Sequence, residues 1–375
     1  MDFQKLTDLL DSLNEKGIPA CDCAVYFNHE PVYRHMSGFS DARKTKKVSN
    51  EDVYWLYSVT KVITCTAAMQ LVEQGRIGLY DEARKYLPCL ENMTVRDGDK
   101  IVPAKNVITI HDLFTMCAGF TYDLGTQNIL ETRKKTNNKA TTKEMVAAIA
   151  KSPLSFEPST HYQYSLCHDV LAAIIEVASD KTLGEYMQEH IFNPLGMKNT
   201  GFKLTPARKS HMSAQYNAKN DAEYNVEDIG LDNCYALSEN YESGGAGLIS
   251  CVDDYILFVD AMCNDGVGKN GNRIISRESI DLMRQNHLKG ECYNDFCQLC
   301  KKGYSYGLGV RTLVDDTYSK SPVGEFGWDG AAGAYALIDP ENHIAVFYAQ
   351  HVKNCTLAFD CHTIIRDLTY KSLGL

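Results

Sequence analysis

Residues 58–75 read Ser-Val-Thr-Lys-Val-Ile-Thr-Cys-Thr-Ala-Ala-Met-Gln-Leu-Val-Glu-Gln-Gly. Val62, Ile63, Ala67, Met69 and Leu71 supply apolar positions at helical spacing, and Gly75 is placed to cap a C-terminus, so the spacing predicts a helix over 58–74. At its start Ser58 and Lys61 stand three residues apart on one helical face, where the ammonium reaches the hydroxyl. The unpaired N–H groups and positive dipole end of a helix N-terminus favour a developing alkoxide or oxyanion there. Taken alone, the S-x-x-K pattern equally fits an N-cap serine followed by a surface lysine, since a chain of this length contains about one by chance.

Two further elements change that reading. Tyr164, in the run 162–166 just before a helix predicted from His168, can place its phenol beside Ser58 and Lys61. Next to a cation in a dry pocket its phenolate is favoured, which makes it a candidate acceptor of the serine proton. Near the C-terminus Trp328-Asp329-Gly330-Ala331 leads into a strand of small residues. A substrate would lie along that strand's edge, with the Ala331 N–H joining that of Ser58 as an oxyanion hole.

Around these elements the pattern is of sheet-forming ends and a helical middle. Phe3, Leu6, Leu9, Leu10 and Leu13 predict an amphipathic helix ended by Gly17, followed by strands over 21–27 and 32–36 joined at 28–31. Further helices are expected over 111–117, 143–151, 168–179 and 183–191, strands over 308–314, 332–338 and 344–348, and a closing helix over 356–373. Residues 133–142 read as an exposed polar connection. Both ends then build one sheet domain, about residues 1–57 and 240–375, and residues 58–239 form a mainly helical insertion with the site at the junction.

The chain has 375 residues, 48 of them acidic and 38 basic, which gives a net charge of −10 and argues against a nucleic-acid partner. No apolar run approaches the ~18 residues of a spanning helix, so no membrane partner is expected. The N-terminal stretch has no apolar core of a secretory signal and no small-residue cleavage site, and the expectation is a soluble cytoplasmic protein. In that compartment the 14 cysteines are expected as reduced, small hydrophobes, with Cys65, Cys234, Cys251 and Cys263 among apolar neighbours. His287, Cys292, Cys297 and Cys300 could in principle surround zinc, but their spacing is irregular and a reduced-thiol loop with no metal is the reading taken.

In this order and spacing the three elements resemble the serine β-lactamase and penicillin-binding-protein superfamily, in its class C-like branch. That branch includes DD-peptidases, family VIII carboxylesterases and transesterases of the statin-acyltransferase type. Residues 77–88 (IGLYDEARKYLP), 108–120 (ITIHDLFTMCAGF), 193–202 (NPLGMKNTGF), 243–250 (SGGAGLIS) and 326–340 (FGWDGAAGAYALIDP) are similar as well. The resemblance implies an α/β (α+β) fold, an antiparallel sheet flanked by helices and built from both chain ends, with an all-helical insertion. It also implies that Ser58 is acylated, that Lys61 shares its proton network and that Tyr164 stands in the general base's position. Which of Lys61 and Tyr164 carries the proton at each step stays open, because they are a coupled pair. No cofactor is implied.

Departures from the family pattern point to the substrate. Leu166 replaces an asparagine, and Trp328 and Asp329 replace a lysine and a threonine, so a substrate carboxylate loses a charge-assisted contact of ~1.5–3 kcal/mol. Leu166, Trp328, Asp329, Gly330 and Phe326 are the expected substrate-binding residues, although Phe326 fits ordinary core packing equally well. Asp169 reads as a charge complementing a helix N-terminus, and Gly244, Gly245 and Gly247 as a tight turn near the cleft. His161, His343 and His351 lack the G-x-S-x-G context of a Ser-His-Asp site. The expected activity is that of a serine carboxylesterase on small-molecule esters with small to medium neutral acyl groups. The alternatives are an acyltransferase with the same acyl-enzyme, β-lactamase or DD-peptidase activity, and a non-catalytic binding protein. The oligomeric state is not legible.

Overall fold

Asn28 and His29 both take left-handed backbone angles, with φ of 50° and 66°, as a two-residue turn needs if its twist is to match the strands it joins. They follow helix α1 (Gln4–Glu15) and connect β1 (Ala20–Phe27) to β2 (Glu30–Gly38). The expected hairpin is present with a turn two residues shorter than the sequence suggests. The computed structural model describes residues 1–220, 225–299 and 302–375.

The C-terminal part adds β3 (Tyr304–Tyr306), β4 (Arg311–Leu313), β5 (Phe326–Asp329), β6 (Tyr335–Asp339) and β7 (Ile344–Ala349). The seven strands run in the order β2-β1-β7-β6-β5-β4-β3, each antiparallel to its neighbours. The pairing of β1 with β7, from Asp22 opposite Ala349 to Phe27 opposite Ile344, closes the two chain ends into one sheet. The single strand expected over 308–314 is interrupted, because the Gly307 N–H turns back to the Val310 carbonyl at 2.8 Å.

Alternation along the strands gives the sheet two apolar faces. Cys21, Cys23, Val25, Leu337, Val346 and Tyr348 face α1 and the closing helix, while Ala24, Ala336, Ile338, Ala345 and Phe347 join the core beneath the helical region. Helix α2 (Thr60–Glu73) is buried on all sides from Thr60 to Leu71 and packs on α3 (Cys167–Ser179). Such a helix belongs inside a core rather than at its surface. Helix α4 (Val252–Cys263) lies on β1, β6 and β7, and α5 (Thr356–Leu373) closes the chain where it is expected. The remaining expected helices appear at Ile110–Phe114, Thr142–Ile149 and Leu183–Met187, each started by a threonine capping box.

The helical stretch also carries short strands: a hairpin of Thr94–Asp97 with Lys100–Pro103, and Tyr216–Asn220 beside both Asn225–Asp228 and Val352–Lys353. The basic run 133–135 ends a helix, Gln127–Lys135, rather than forming a loop. Residues Gly290–Leu299, read as a thiol-bearing loop, are helical. Cys65, Cys251 and Cys263 are buried as expected, but Cys234 is exposed, with Lys353 Nζ 3.4 Å from its sulfur. No helix among the described residues is long and apolar enough to cross a membrane.

Phe326 is fully buried in β5, paired between Thr312 and Ile338, and belongs to the main core. Phe326→Ala is therefore expected to lower stability by about 3–5 kcal/mol, measured by denaturant titration. A variant of native stability would show that the ring is not part of this core.

Candidate active site

A bulky residue in left-handed backbone precedes Ser58: buried Tyr57 has φ of 49°, a strained conformation that persists only where its surroundings enforce it. The enforcing contacts come from residues 243–250. Tyr54 and Trp55 pair with Ser250 and Ile249, the Leu56 N–H donates to Leu248 O at 2.9 Å, and the Leu248 N–H donates to Thr60 Oγ1 at 3.1 Å. Ser58 thus lies on the short turn Tyr57–Val59 between a strand and α2, just outside the helix in which the sequence places it.

Lys61, in the first turn of α2, is completely buried. Its Nζ lies 2.7 Å from Gly245 O, 2.9 Å from Tyr122 Oη and 3.3 Å from Ser58 Oγ, and 4.5 Å from the centre of the Tyr164 ring. Burial lowers its pKa to about 7, with the Asp169 carboxylate acting in the opposite sense. Asp169 is also fully buried. One of its oxygens accepts from Tyr241 Oη and Ser243 Oγ, each at 2.6 Å, and from the Gly245 N–H at 3.4 Å. Gly245 can be nothing larger, since a Cβ there would stand 2.6 Å from the other Asp169 oxygen and 3.4 Å from Lys61 Nζ.

Tyr164 edges the same pocket. Its enclosure pushes the phenol pKa up, against the lowering effect of hydrogen bonds with Ser58 and Trp328. Trp328 Nε1 donates to Tyr164 Oη at 3.1 Å, and the two rings stack at 5.6 Å. The phenolate expected from the sequence is not favoured, because Lys61 sits over the ring face and loss of solvation outweighs it.

These groups open into a cavity of about 540 Å³ bordered by Ser58, Tyr122, Tyr164, Tyr235, Trp328, Asp329, Gly330 and Ala331, with Leu299, Tyr304, Arg311 and Phe359 farther round. Trp328 and Asp329 pair only with β6, so this half of β5 is open on its other side. Ala331 lies in the turn after β5, not in a strand. Among the described residues no backbone carbonyl accepts from the Ser58 or Ala331 N–H. A wider groove of about 1410 Å³, lined mainly from residues 181–208 and 236–242, contains none of these groups.

The family profile described as Beta-lactamase matches residues 6–356. The chain belongs to the β-lactamase family. Esterase EstB of Burkholderia gladioli is 27% identical over 96% of this chain and 92% of its own. Two solved structures share the fold across nearly their whole lengths. EstCE1, described as a hydrolase with promiscuous acyltransferase activity, has a TM-score of 0.81 at 24% identity and covers 98% of both chains. Simvastatin synthase LovD of Aspergillus terreus has a TM-score of 0.82 at 21% identity and covers 99% of this chain and 98% of its own. The protein is a serine hydrolase of the β-lactamase and penicillin-binding-protein type.

Within this β-lactamase-family fold, Ser58, Lys61, Tyr164, Trp328, Asp329, Gly330 and Ala331 come together as the sequence suggests. Leu166 and Phe326 do not. Leu166 is buried at the start of α3, beside Phe120, Ile129 and Ile149, and Phe326 lies in the core. His351 is buried between Ser213 O and the Trp55 N–H, and burial lowers its pKa to about 4, while His161 and His343 lie away from the cavity. His287 spends both ring nitrogens on protein atoms, His111 Nε2 at 3.2 Å and Leu282 O at 2.9 Å. Cys300 lies outside the described residues, and no metal-holding cluster occurs among those described.

Tyr122, Tyr235 and Arg311 were not singled out in the sequence. Tyr122 stands two residues beyond the family-like run 108–120, and Gly245, read as a turn former, supplies the carbonyl that holds Lys61. Asp169 lies in the first turn of α3, as the sequence suggests, and is buried near Lys61. Removing its charge leaves the ammonium less favoured, so Asp169→Asn is expected to move the Lys61 midpoint below about 7. The pH dependence of Ser58 phosphonylation checks this, and an unchanged or raised midpoint would contradict it.

Proposed function

We propose that this hydrolase is a carboxylesterase that cleaves small to medium neutral acyl esters through an acyl-Ser58 intermediate. The environment of Lys61 Nζ carries the reading. A neutral amine has two N–H donors and one lone pair. Gly245 O can only accept, Tyr122 Oη accepts at 2.9 Å, and the lone pair is left for the Ser58 hydroxyl at 3.3 Å. With a pKa near 7, Lys61 is partly in that form at neutral pH and is the base that takes the serine proton.

Ser58 Oγ then attacks the acyl carbon, and the carbonyl oxygen gathers charge between the Ser58 and Ala331 N–H groups. Tyr164, kept protonated by its enclosure, accepts from Trp328 and turns its own proton toward the departing alkoxide. The ammonium formed at Lys61, over the tyrosine ring, offsets the charge left on the phenol. Water in place of the alcohol reverses these transfers and frees Ser58. The relative named as an esterase and the aromatic cavity wall support an ester substrate. The room beside Trp328 and Tyr235 also supports a second reading, in which another alcohol takes the acyl group.

A fluorophosphonate is expected to add once to the wild type and not to Ser58→Ala, as read by intact mass. Turnover of p-nitrophenyl esters of increasing chain length should fall by about 10³-fold or more in Ser58→Ala and in Lys61→Met. Labelling that survives Ser58→Ala would overturn the assignment. Product ester formed at modest alcohol concentration would favour the acyltransferase.

A further inference from the structure

Arg311 reaches the cavity from β4, and Asp329 stands in front of it. Arg311 Nη1 is 3.5 Å from Asp329 Oδ1, while Nη2 is 3.5 Å from Glu325 Oε1 and donates to Ala336 O at 3.0 Å. The guanidinium lies over the Tyr335 ring at 4.8 Å. The Arg311 side chain is 7% exposed, Asp329 25% and Glu325 not at all, so Asp329 is the member of the group that the cavity meets first. Behind them Tyr304 Oη donates to Glu325 at 2.6 Å and accepts from Arg366 at 3.1 Å. His362 brings Nδ1 to 3.2 Å from Asp329 Oδ1 and turns Nε2 to Gly333 O at 3.1 Å. Asp367 holds Arg366 from the solvent side.

In this wall the guanidinium groups of Arg311 and Arg366 stand among three carboxylates, those of Asp329, Glu325 and Asp367. Arg311 touches Asp329 through a single long contact, whereas a guanidinium can grip a carboxylate with two parallel hydrogen bonds. Its capacity for an anion is therefore covered by Asp329 rather than used up.

We propose that Asp329 is a specificity-determining residue that masks Arg311, so that the cavity refuses esters bearing a carboxylate while Arg311 remains a latent carboxylate-binding group. The proposal rests on the esterase reading and names its substrate class. A carboxylate brought to Arg311 meets the Asp329 charge before the guanidinium, and a neutral acyl group does not. Discrimination then comes from a repulsive element set against the wrong substrate. Asp329→Asn keeps the shape of the side chain and removes its charge, so that the Arg311 charge is no longer offset on the cavity side and the wall becomes more positive by one unit.

The test compares kcat/KM for p-nitrophenyl butyrate, the p-nitrophenyl monoester of glutaric acid and a p-nitrophenyl ester with a quaternary ammonium on its acyl chain. The anionic-to-neutral ratio, internal to each variant and insensitive to partial unfolding, is expected to rise at least about tenfold in Asp329→Asn. Adding Arg311→Gln should return it to the wild-type value. A ratio within about threefold of wild type in Asp329→Asn, or a gain that survives Arg311→Gln, overturns the proposal. So does a wild-type preference for the cationic ester that Asp329→Asn removes, which would make Asp329 a cation receptor. Calorimetric titration of monomethyl glutarate into Ser58→Ala with and without Asp329→Asn decides the same point without turnover. If the wild type cleaves none of the esters, the esterase reading fails, yet binding at least about tenfold tighter in the double variant still supports the mask, and equal binding rejects it.

Discussion

Lys61 carries an amine into the protein interior, closed off from bulk solvent, and the residues around it are arranged to make that tolerable. An unpaired ammonium in a protein interior would cost several kcal/mol. Here the group meets the Gly245 carbonyl, the Tyr122 hydroxyl and Ser58, with the Asp169 carboxylate close by. Each contact depends on a different part of the chain. Gly245 arrives through the 243–250 loop, which also pairs with Tyr54 and Trp55 and so holds the strained turn at Tyr57. Asp169 is brought by the first turn of α3, and the Ser243 hydroxyl that it accepts from ties that helix back to the same loop. The loop is thus anchored to both α2 and α3, and the position of Ser58 follows from packing inside the helical region.

The sheet supplies the other wall. Gly330 lies so close to Leu56 that a Cβ would stand 2.5 Å from its carbonyl oxygen. Absence of a side chain there lets the turn after β5 bring Ala331 beside Ser58. The register of β5 then places Trp328 and Asp329 on the stretch that β4 does not cover. Trp328 links the two walls through Tyr164, while Asp329 faces Arg311 across the gap between β5 and β4. The cavity is thus built from both supports, with Ser58, Lys61 and Tyr164 held by the helical region and Trp328, Asp329, Gly330 and Ala331 by the sheet.

Ser58, Lys61 and Tyr164 were legible because a spacing of three at a helix start, a tyrosine just before another helix and the run at 328–331 occur in the order and spacing of the family, whereas each local pattern alone is weak. Strand-forming runs at both ends were legible from the local pattern and α5 from its apolar period, while the antiparallel sheet was implied by the family resemblance. Arg311 was not, because the tight turn at Gly307–Val310 breaks the strand pattern and nothing local says which strand would neighbour β5. Tyr122 and Tyr235 are two of 22 tyrosines, and only the fold distinguishes them. Leu166 and Phe326 show the reverse. The family pattern placed Leu166 at the cavity, and Phe326 was read either as a pocket residue or as ordinary core packing, but backbone direction carries both side chains into the core. Asp169 was legible as a charge in the first turn of α3, and its burial becomes visible only when the 243–250 loop covers it.

Enclosure acts in opposite directions on Lys61 and Tyr164, and the proposed mechanism divides the proton-handling roles between them on that basis. Loss of solvation disfavours whichever form is charged, so it pushes lysine toward the free amine and tyrosine toward the intact phenol. One dry pocket therefore produces a base and an acid from residues that in water would be a cation and a phenol. Asp169 sets the limit of this effect. Without a carboxylate behind Gly245 the amine would titrate lower and be a weaker base, and with one more exposed to Lys61 it would stay protonated and take no proton from Ser58. A buried acid held off by the α-carbon of a glycine gives the intermediate case, a lysine near pH 7.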